Sequence, residues 1–181
     1  YPEHSLLRAD PQQRDLALEI NHQATELGMH VRRWGLAHTL TESEESLDIM
    51  IGEKGYLRQF EKYSKPLMKA LLSKNYRLSA DKVAESKERI DSLVVLLNHQ
   101  LIENHGRYLV GERLGLADIA VCSMLAPLLE IPATPWEREN TELLSDEFKH
   151  YKEILTELPL GQYVLRIYQT ERNARVDWRG V

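Results

Sequence analysis

Cysteine occurs once in the 181 residues, at position 122, so no internal disulfide can hold the fold, and this usage suits a reducing cytoplasm. Positive charge is also short: 23 Lys and Arg stand against 28 Asp and Glu, for a formal net charge of −5. With no basic run and no interleaved aromatics, the chain has no electrostatic footprint for nucleic acid. Nothing approaches the roughly 18 consecutive apolar residues that cross a bilayer, and no charged-then-apolar leader opens the chain, so no membrane partner is expected. Glycine (9), proline (7) and phenylalanine (2) are scarce while Leu, Ala, Glu, Lys and Arg abound, which predicts an all-α helical bundle. Cys-x-x-Cys, a phosphate-cradling glycine loop and a Ser/His/Asp spacing are lacking, and with them the chemistry they carry. At this length one compact domain can bury most of its apolar surface.

The most informative stretch is Gly106 to Val121, GRYLVGERLGLADIAV. With Gly115 as N-cap, Asp118 falls at N3, where its carboxylate can accept the backbone N–H of Gly115, half of a capping box. Leu114 before the cap and Ile119 at the fourth helical position are spaced to form a hydrophobic staple. Val121, Met124, Leu125 and Leu128 continue the helix at core spacing. On these grounds Asp118→Ala costs about 1 to 2 kcal/mol, and Gly115→Ser, which restores a capping hydroxyl, is neutral or slightly stabilising.

Other helices follow from capping pairs and periodicity. Asp10-Pro11 with Gln13 is a strong helix start, an acceptor at the N-cap and proline at N1. That helix should run from about Pro11 to Leu40, with Leu16, Ile20, Ala24, Leu27, Val31 and Trp34 on its buried face. From Ser46 to Leu72 the apolar spacing suggests two helical pieces interrupted by Gly52, Gly55 and Pro66. The second is entered near Ser64, because Pro66 cannot donate to residue 62. Ser79 caps a helix from Ala80 to about Asn104. It is apolar on more than one side, through Ile90, Leu93, Val94, Leu96, Leu97, Leu101 and Ile102, and so should be central. Pro127 bends or shortens the helix that begins at Leu116. Ile131 to Asn140 reads as loop, and Ser145 opens a helix to about Leu158. Pro159 and Gly161 mark its stop, and a last helix runs from about Gln162 to Asn173. The tail to Val181 is expected to be mobile apart from Trp178.

Tyr108-Leu109-Val110-Gly111 leading into Leu116-Ala117-Asp118-Ile119 resembles the C-terminal domain of glutathione transferases, which normally place Ser or Thr where this chain has Gly115. The opening YPEHSLLRADPQQRD is similar to the linker that follows their thioredoxin-like N-terminal domain, and the ending LPLGQYVLRIYQTER resembles the close of bacterial members. The resemblance implies a linker remnant at 1–9, a helical domain at 10–176 and a tail at 177–181. It also implies that a thioredoxin-like domain precedes this chain in the same polypeptide, carrying most of the glutathione site and the catalytic Tyr, Ser or Cys. No residue of this chain would then be catalytic. Its share of the work would be an apolar wall for a small apolar electrophile that glutathione is transferred to, or reduces. A homodimer is the implied assembly, with the row His22, Glu26, His30 or the segment Leu47 to Leu72 at the contact. The same fold also serves as a non-catalytic interaction module, the competing possibility.

In that family the first long helix of the domain lines the electrophile cleft, which makes His30, Arg33, Trp34 and His38 the candidate substrate contacts. Trp34 also lies on the core stripe. Cys122, two turns into an apolar helix, reads as a small buried hydrophobe. His22, Glu26 and His30 carry metal-ligating groups at four-residue spacing. Eight residues of helix rise about 12 Å, too far for His22 and His30 to share an ion ligated at about 2 Å, and no metal is expected. His99 and His105 are expected at the surface or in caps, and Glu42, Glu44 and Glu45 as solvated surface.

Overall fold

The computed structural model describes residues 5–42, 47, 60–134, 136–137 and 144–172. Its helices are α1 (Pro11–Glu42), α2 (Glu61–Asn75), α3 (Ala80–Glu103), α4 (Leu116–Leu129), α5 (Asp146–Glu157) and α6 (Pro159–Thr170), and no strand occurs among the described residues. The all-α class predicted from composition is the observed one. α1 packs along α3 and α4, while α6 lies against α3, α4 and α5. The α1 stripe Ala17, Ile20, Ala24, Leu27, Val31 and Trp34 is buried against Ile90, Leu93, Leu97 and Leu101 of α3 and Val121, Leu125 and Leu128 of α4, in one core that also takes in Leu155, Leu160 and Val164.

Three expectations need correction. α2 begins at Glu61 and carries Pro66 inside it. The proline forfeits the bond to the Lys62 carbonyl, yet one lost bond in the second turn does not end the helix. α6 begins at Pro159, not near Gln162, so the residues that look like a stop are a start. Proline is at N1, where no donor is needed, and the next donor, Leu160 N–H, reaches Asn98 Oδ1 at 2.9 Å. Gly161 is there for closeness: a Cβ on it would lie 1.8 Å from the Leu155 carbonyl oxygen at the end of α5. The third correction concerns the staple. Leu114 packs on the core, but Ile119 is exposed, and the two do not form a buried pair.

Of the residues before position 60 in the segment Ser46 to Leu72, Leu47 alone is described, and it is helical and buried. The first helical piece with Gly52 and Gly55, the side chains of Glu42, Glu44 and Glu45, most of the loop after Thr134, and the tail with Trp178 lie outside the described residues.

The α3 to α4 junction is built from backbone and side-chain bonds that converge on few residues. α3 ends in a Schellman arrangement, with Gly106 N–H donating to the Leu101 carbonyl at 2.8 Å and His105 N–H to that of Ile102 at 3.0 Å. His105 takes the left-handed conformation there (φ 63°), a position glycine usually fills. Asn104 Nδ2 then donates to the carbonyls of Tyr108 at 2.8 Å and Gly111 at 2.9 Å, closing the loop.

Asp118, 1% exposed, accepts three bonds: Gly115 N–H at 2.7 Å on Oδ2, and Leu109 N–H at 2.7 Å and the Tyr163 hydroxyl at 2.5 Å on Oδ1. Gly115 has no side chain to complete the box. The segment before α1 ties down the same junction by other bonds, since the Leu6 carbonyl accepts the first helical N–H, that of Leu116, at 3.0 Å and the buried Arg8 guanidinium donates to the carbonyls of Val110 and Arg113.

This arrangement changes both junction expectations. Asp118→Ala strips three bonds and leaves two buried N–H groups unpaired, so it should destabilise by about 3 kcal/mol or more, and Tyr163→Phe by about 1 kcal/mol. A Cβ at position 115 would stand 3.0 Å from the Leu6 carbonyl oxygen and 3.1 Å from Arg8 Nη2. Gly115→Ser should therefore cost about 1 kcal/mol instead of being neutral. His105→Gly should gain about 0.5 to 1 kcal/mol by relieving the left-handed backbone. Urea midpoints of the four variants check the set, and an Asp118→Ala midpoint equal to wild type would refute the three-donor account.

Candidate functional site

α1 carries all four candidate substrate contacts, and the structure separates them into two sets. His30 and Arg33 turn toward α3. Arg33 Nε donates to the Tyr76 carbonyl at 2.9 Å and its Nη1 to Ser86 Oγ at 2.9 Å, while His30 Nδ1 lies 3.1 Å from the same oxygen. Arg33 and His30 thus share the buried Ser86 hydroxyl as a common hydrogen-bond partner. Burial, and then the charge of Arg33, hold the His30 pKa below its usual 6.5.

Trp34 and His38 turn toward α5. Trp34 is 1% exposed, stacked on Phe148 at 5.3 Å and in edge contact with Tyr151 at 5.3 Å and His38 at 4.5 Å. No surface of the indole is left for a ligand, and its place on the core stripe is the one that counts. His38 Nδ1 meets Ser145 Oγ at 2.8 Å, the same oxygen that caps α5 by accepting Phe148 N–H at 3.1 Å. His38 Nε2 is 3.8 Å from Glu147 Oε2.

A cleft of about 350 Å³ runs between α1 and α3, lined by Glu26, His30, Glu85, Glu88, Arg89 and Ser92. His30 is the only one of the four candidates that lines it. Glu26 forms a two-pronged pair with Arg89, at 2.5 and 3.0 Å, and the bond from Arg89 holds the Glu26 carboxyl below its usual range. Glu85 accepts Lys82 Nζ at 2.5 Å. The walls are thus largely charged. Among the described residues no group of three or more His, Cys, Asp or Glu gathers as metal ligands, and no helix is long and apolar enough to cross a membrane.

Ser86 and Arg89 organise this cleft and were not singled out from the sequence. A signal existed for Ser86, which shares a stripe with Ile90, Leu93 and Leu97 and, as a hydroxyl at a core position, needs a partner. Cys122 is buried between α4 and α6. Burial pushes its thiol pKa far up, and the charge of Asp118 adds to the shift, so the sulfur stays protonated and is no nucleophile.

The family described as glutathione S-transferase, C-terminal domain, matches residues 63–159, a little over half of the chain. No curated protein and no solved structure matches it.

The neutral His30 gives the fold a pH dependence of definite sign. Its folded pKa lies below the unfolded value of about 6.5, so the unfolded chain binds this proton more tightly. The corresponding stability is complete above about pH 6.5 and falls as the pH drops below it. His30→Asn should flatten the slope of the urea midpoint against pH in that acid range. Equal slopes in the two proteins would refute the assignment.

Proposed function

The chain belongs to the glutathione S-transferase C-terminal domain family, and we propose that it is the helical half of a two-domain glutathione transferase. A thioredoxin-like domain in the same polypeptide binds glutathione and supplies the Tyr, Ser or Cys that activates its thiol. The helical half brings a small apolar electrophile to that sulfur, so that conjugation or reduction proceeds with the gain of a preassembled pair. The family match over residues 63–159 carries this proposal. Cys122 supports the division of labour: activating a thiol takes a donor or positive potential aimed at sulfur, whereas burial and Asp118 act on Cys122 in the opposite sense.

The charged α1–α3 cleft gives an apolar compound little to bury against. The electrophile is therefore assigned to a surface of α1 that the thioredoxin-like domain completes. Arg33 on the α3 side and His38 on the α5 side are the candidate contacts there, with Trp34 between them as the packing that sets their backbone, whereas His30 lines the charged cleft and is not among them. A cytoplasmic homodimer belongs to the same proposal. Its contact is assigned to the side of the row His22, Glu26 and His30, supported by the outer face of α3, where Val95, Leu96 and Ile102 are exposed.

Residues 1–181 alone should unfold cooperatively yet show no glutathione conjugation. Joined to the thioredoxin-like domain, they should conjugate a small aromatic electrophile, and Arg33→Ala should lower kcat/KM of the longer protein by about tenfold. A conjugation assay on both proteins checks this. Activity in the isolated chain would overturn the two-domain proposal. A longer protein inactive with every electrophile tried, yet retaining a specific protein partner, would replace it with the non-catalytic interaction module.

A further inference from the structure

Where the loop after α3 meets the second half of α6, an acidic chain gathers arginines on tyrosine rings. The guanidinium carbons of Arg107 and Arg166 stand 5.5 and 5.8 Å from the centre of the Tyr108 ring, Arg166 also lies over Tyr163 at 5.3 Å, and Arg172 over Tyr168 at 5.4 Å. Two of the rings are pinned by their own hydroxyls. Tyr108 donates to Glu171 at 2.8 Å, and Tyr163 to the buried Asp118 at 2.5 Å.

The three arginines have no carboxylate partner among the described residues, and Arg166 spends one donor on the Arg107 carbonyl. Other cations of the chain are paired, Arg89 with Glu26, Lys87 with Asp91 and Lys152 with Glu130. A guanidinium held by its face keeps its in-plane N–H fork for a planar anion. Cations are favoured near the carbonyl ends of α3 and α6, but an arginine serving those ends would donate to the last helical carbonyls, and the Arg107 carbonyl lies in the loop beyond α3. Arg107 is exposed, and Arg166 and Arg172 are half-buried, so the forks face a surface that solvent reaches.

The kind of anion follows from what lies beneath the arginines. Tyr108 and Tyr163 are 5% and 3% exposed, which leaves their rings closed to a stacking base. A chain of net charge −5 is repelled by a polyphosphate or an anionic membrane, whereas a short acidic peptide meets only the local charge. Arg166 and Arg172 are separated by roughly 9 Å along the axis of α6, a span that carboxylates two or three residues apart on an extended peptide cover. We propose that this surface docks an acidic segment of a partner protein, whose Asp or Glu carboxylates take the arginine forks two donors at a time. The docking is independent of the two-domain proposal, since none of these arginines is a candidate contact of the electrophile.

Fluorescence anisotropy of hexaglutamate carrying an uncharged dye, titrated with the full 181-residue chain at low salt, tests the surface, with circular dichroism and urea midpoints confirming that each variant is folded. The wild-type chain should bind the peptide saturably and release it as salt is raised. Arg107→Ala with Arg172→Ala should raise the dissociation constant by about tenfold or more. Arg107→Lys with Arg172→Lys, which keeps the charge and loses the fork, should raise it by about threefold or more. Arg77→Ala, on the turn at the opposite end of α3, should leave it unchanged. Absence of saturable binding, a double alanine or double lysine variant that binds as tightly as wild type, or an equal loss in Arg77→Ala overturns the docking. Tighter binding of oligothymidylate or of phosphatidylglycerol vesicles than of hexaglutamate also overturns it, and assigns the arginines to phosphate.

Discussion

A carboxylate shut away from water must find donors or forfeit several kcal/mol, and Asp118 finds three. Each comes from a different part of the chain: Leu109 in the loop after α3, Gly115 at the start of α4, and Tyr163 on α6. None of those parts can move without breaking a bond to the buried carboxylate, so one side chain fixes the loop, the start of α4 and the position of α6 together. Arg8 lies within the same electrostatic field. Burial lowers its pKa and the charge of Asp118 raises it, and its guanidinium ties the segment before α1 to the loop carbonyls.

How far this architecture is legible in the sequence depends on the range of the forces involved. α1 and α5 begin where their capping residues place them, because Asp10 and Ser145 act within a turn of themselves, and α3 begins after Ser79 as expected although the Ser79 side chain makes no capping bond. For Asp118 one donor of three could be read, the one three residues away; the others lie 9 and 45 positions off, and nothing local announces them. Pro159 and Gly161 show the limit from the other side. Proline ends a helix or begins one with equal ease, and the glycine answers to the Leu155 carbonyl, a neighbour set by the packing of α6 on α5. Gly115 is similar: as a cap it looks deficient, but the space beside it is occupied by Leu6 and Arg8.

The candidate contacts were less legible than the fold. His30, Arg33, Trp34 and His38 share a helix and are close in number, but α1 is flanked on two sides, and the helical turn sends the first two to α3 and the last two to α5. Which side faces a ligand depends on neighbours that one helix cannot specify. Ser86 illustrates what the sequence does disclose: a hydroxyl on an apolar stripe demands partners without naming them, and here they are His30 and Arg33.

The Leu6 carbonyl and the Arg8 guanidinium also give the beginning of the chain a mechanical role. Residues 5–8 lie across the junction like a seam stitched at Leu116, Val110 and Arg113. Tension applied at residue 5 reaches those stitches before it reaches the first turn of α1. Pulled from that end, the bundle would open at its most enclosed corner, exposing the start of α4 while the 32 residues of α1 are still wound.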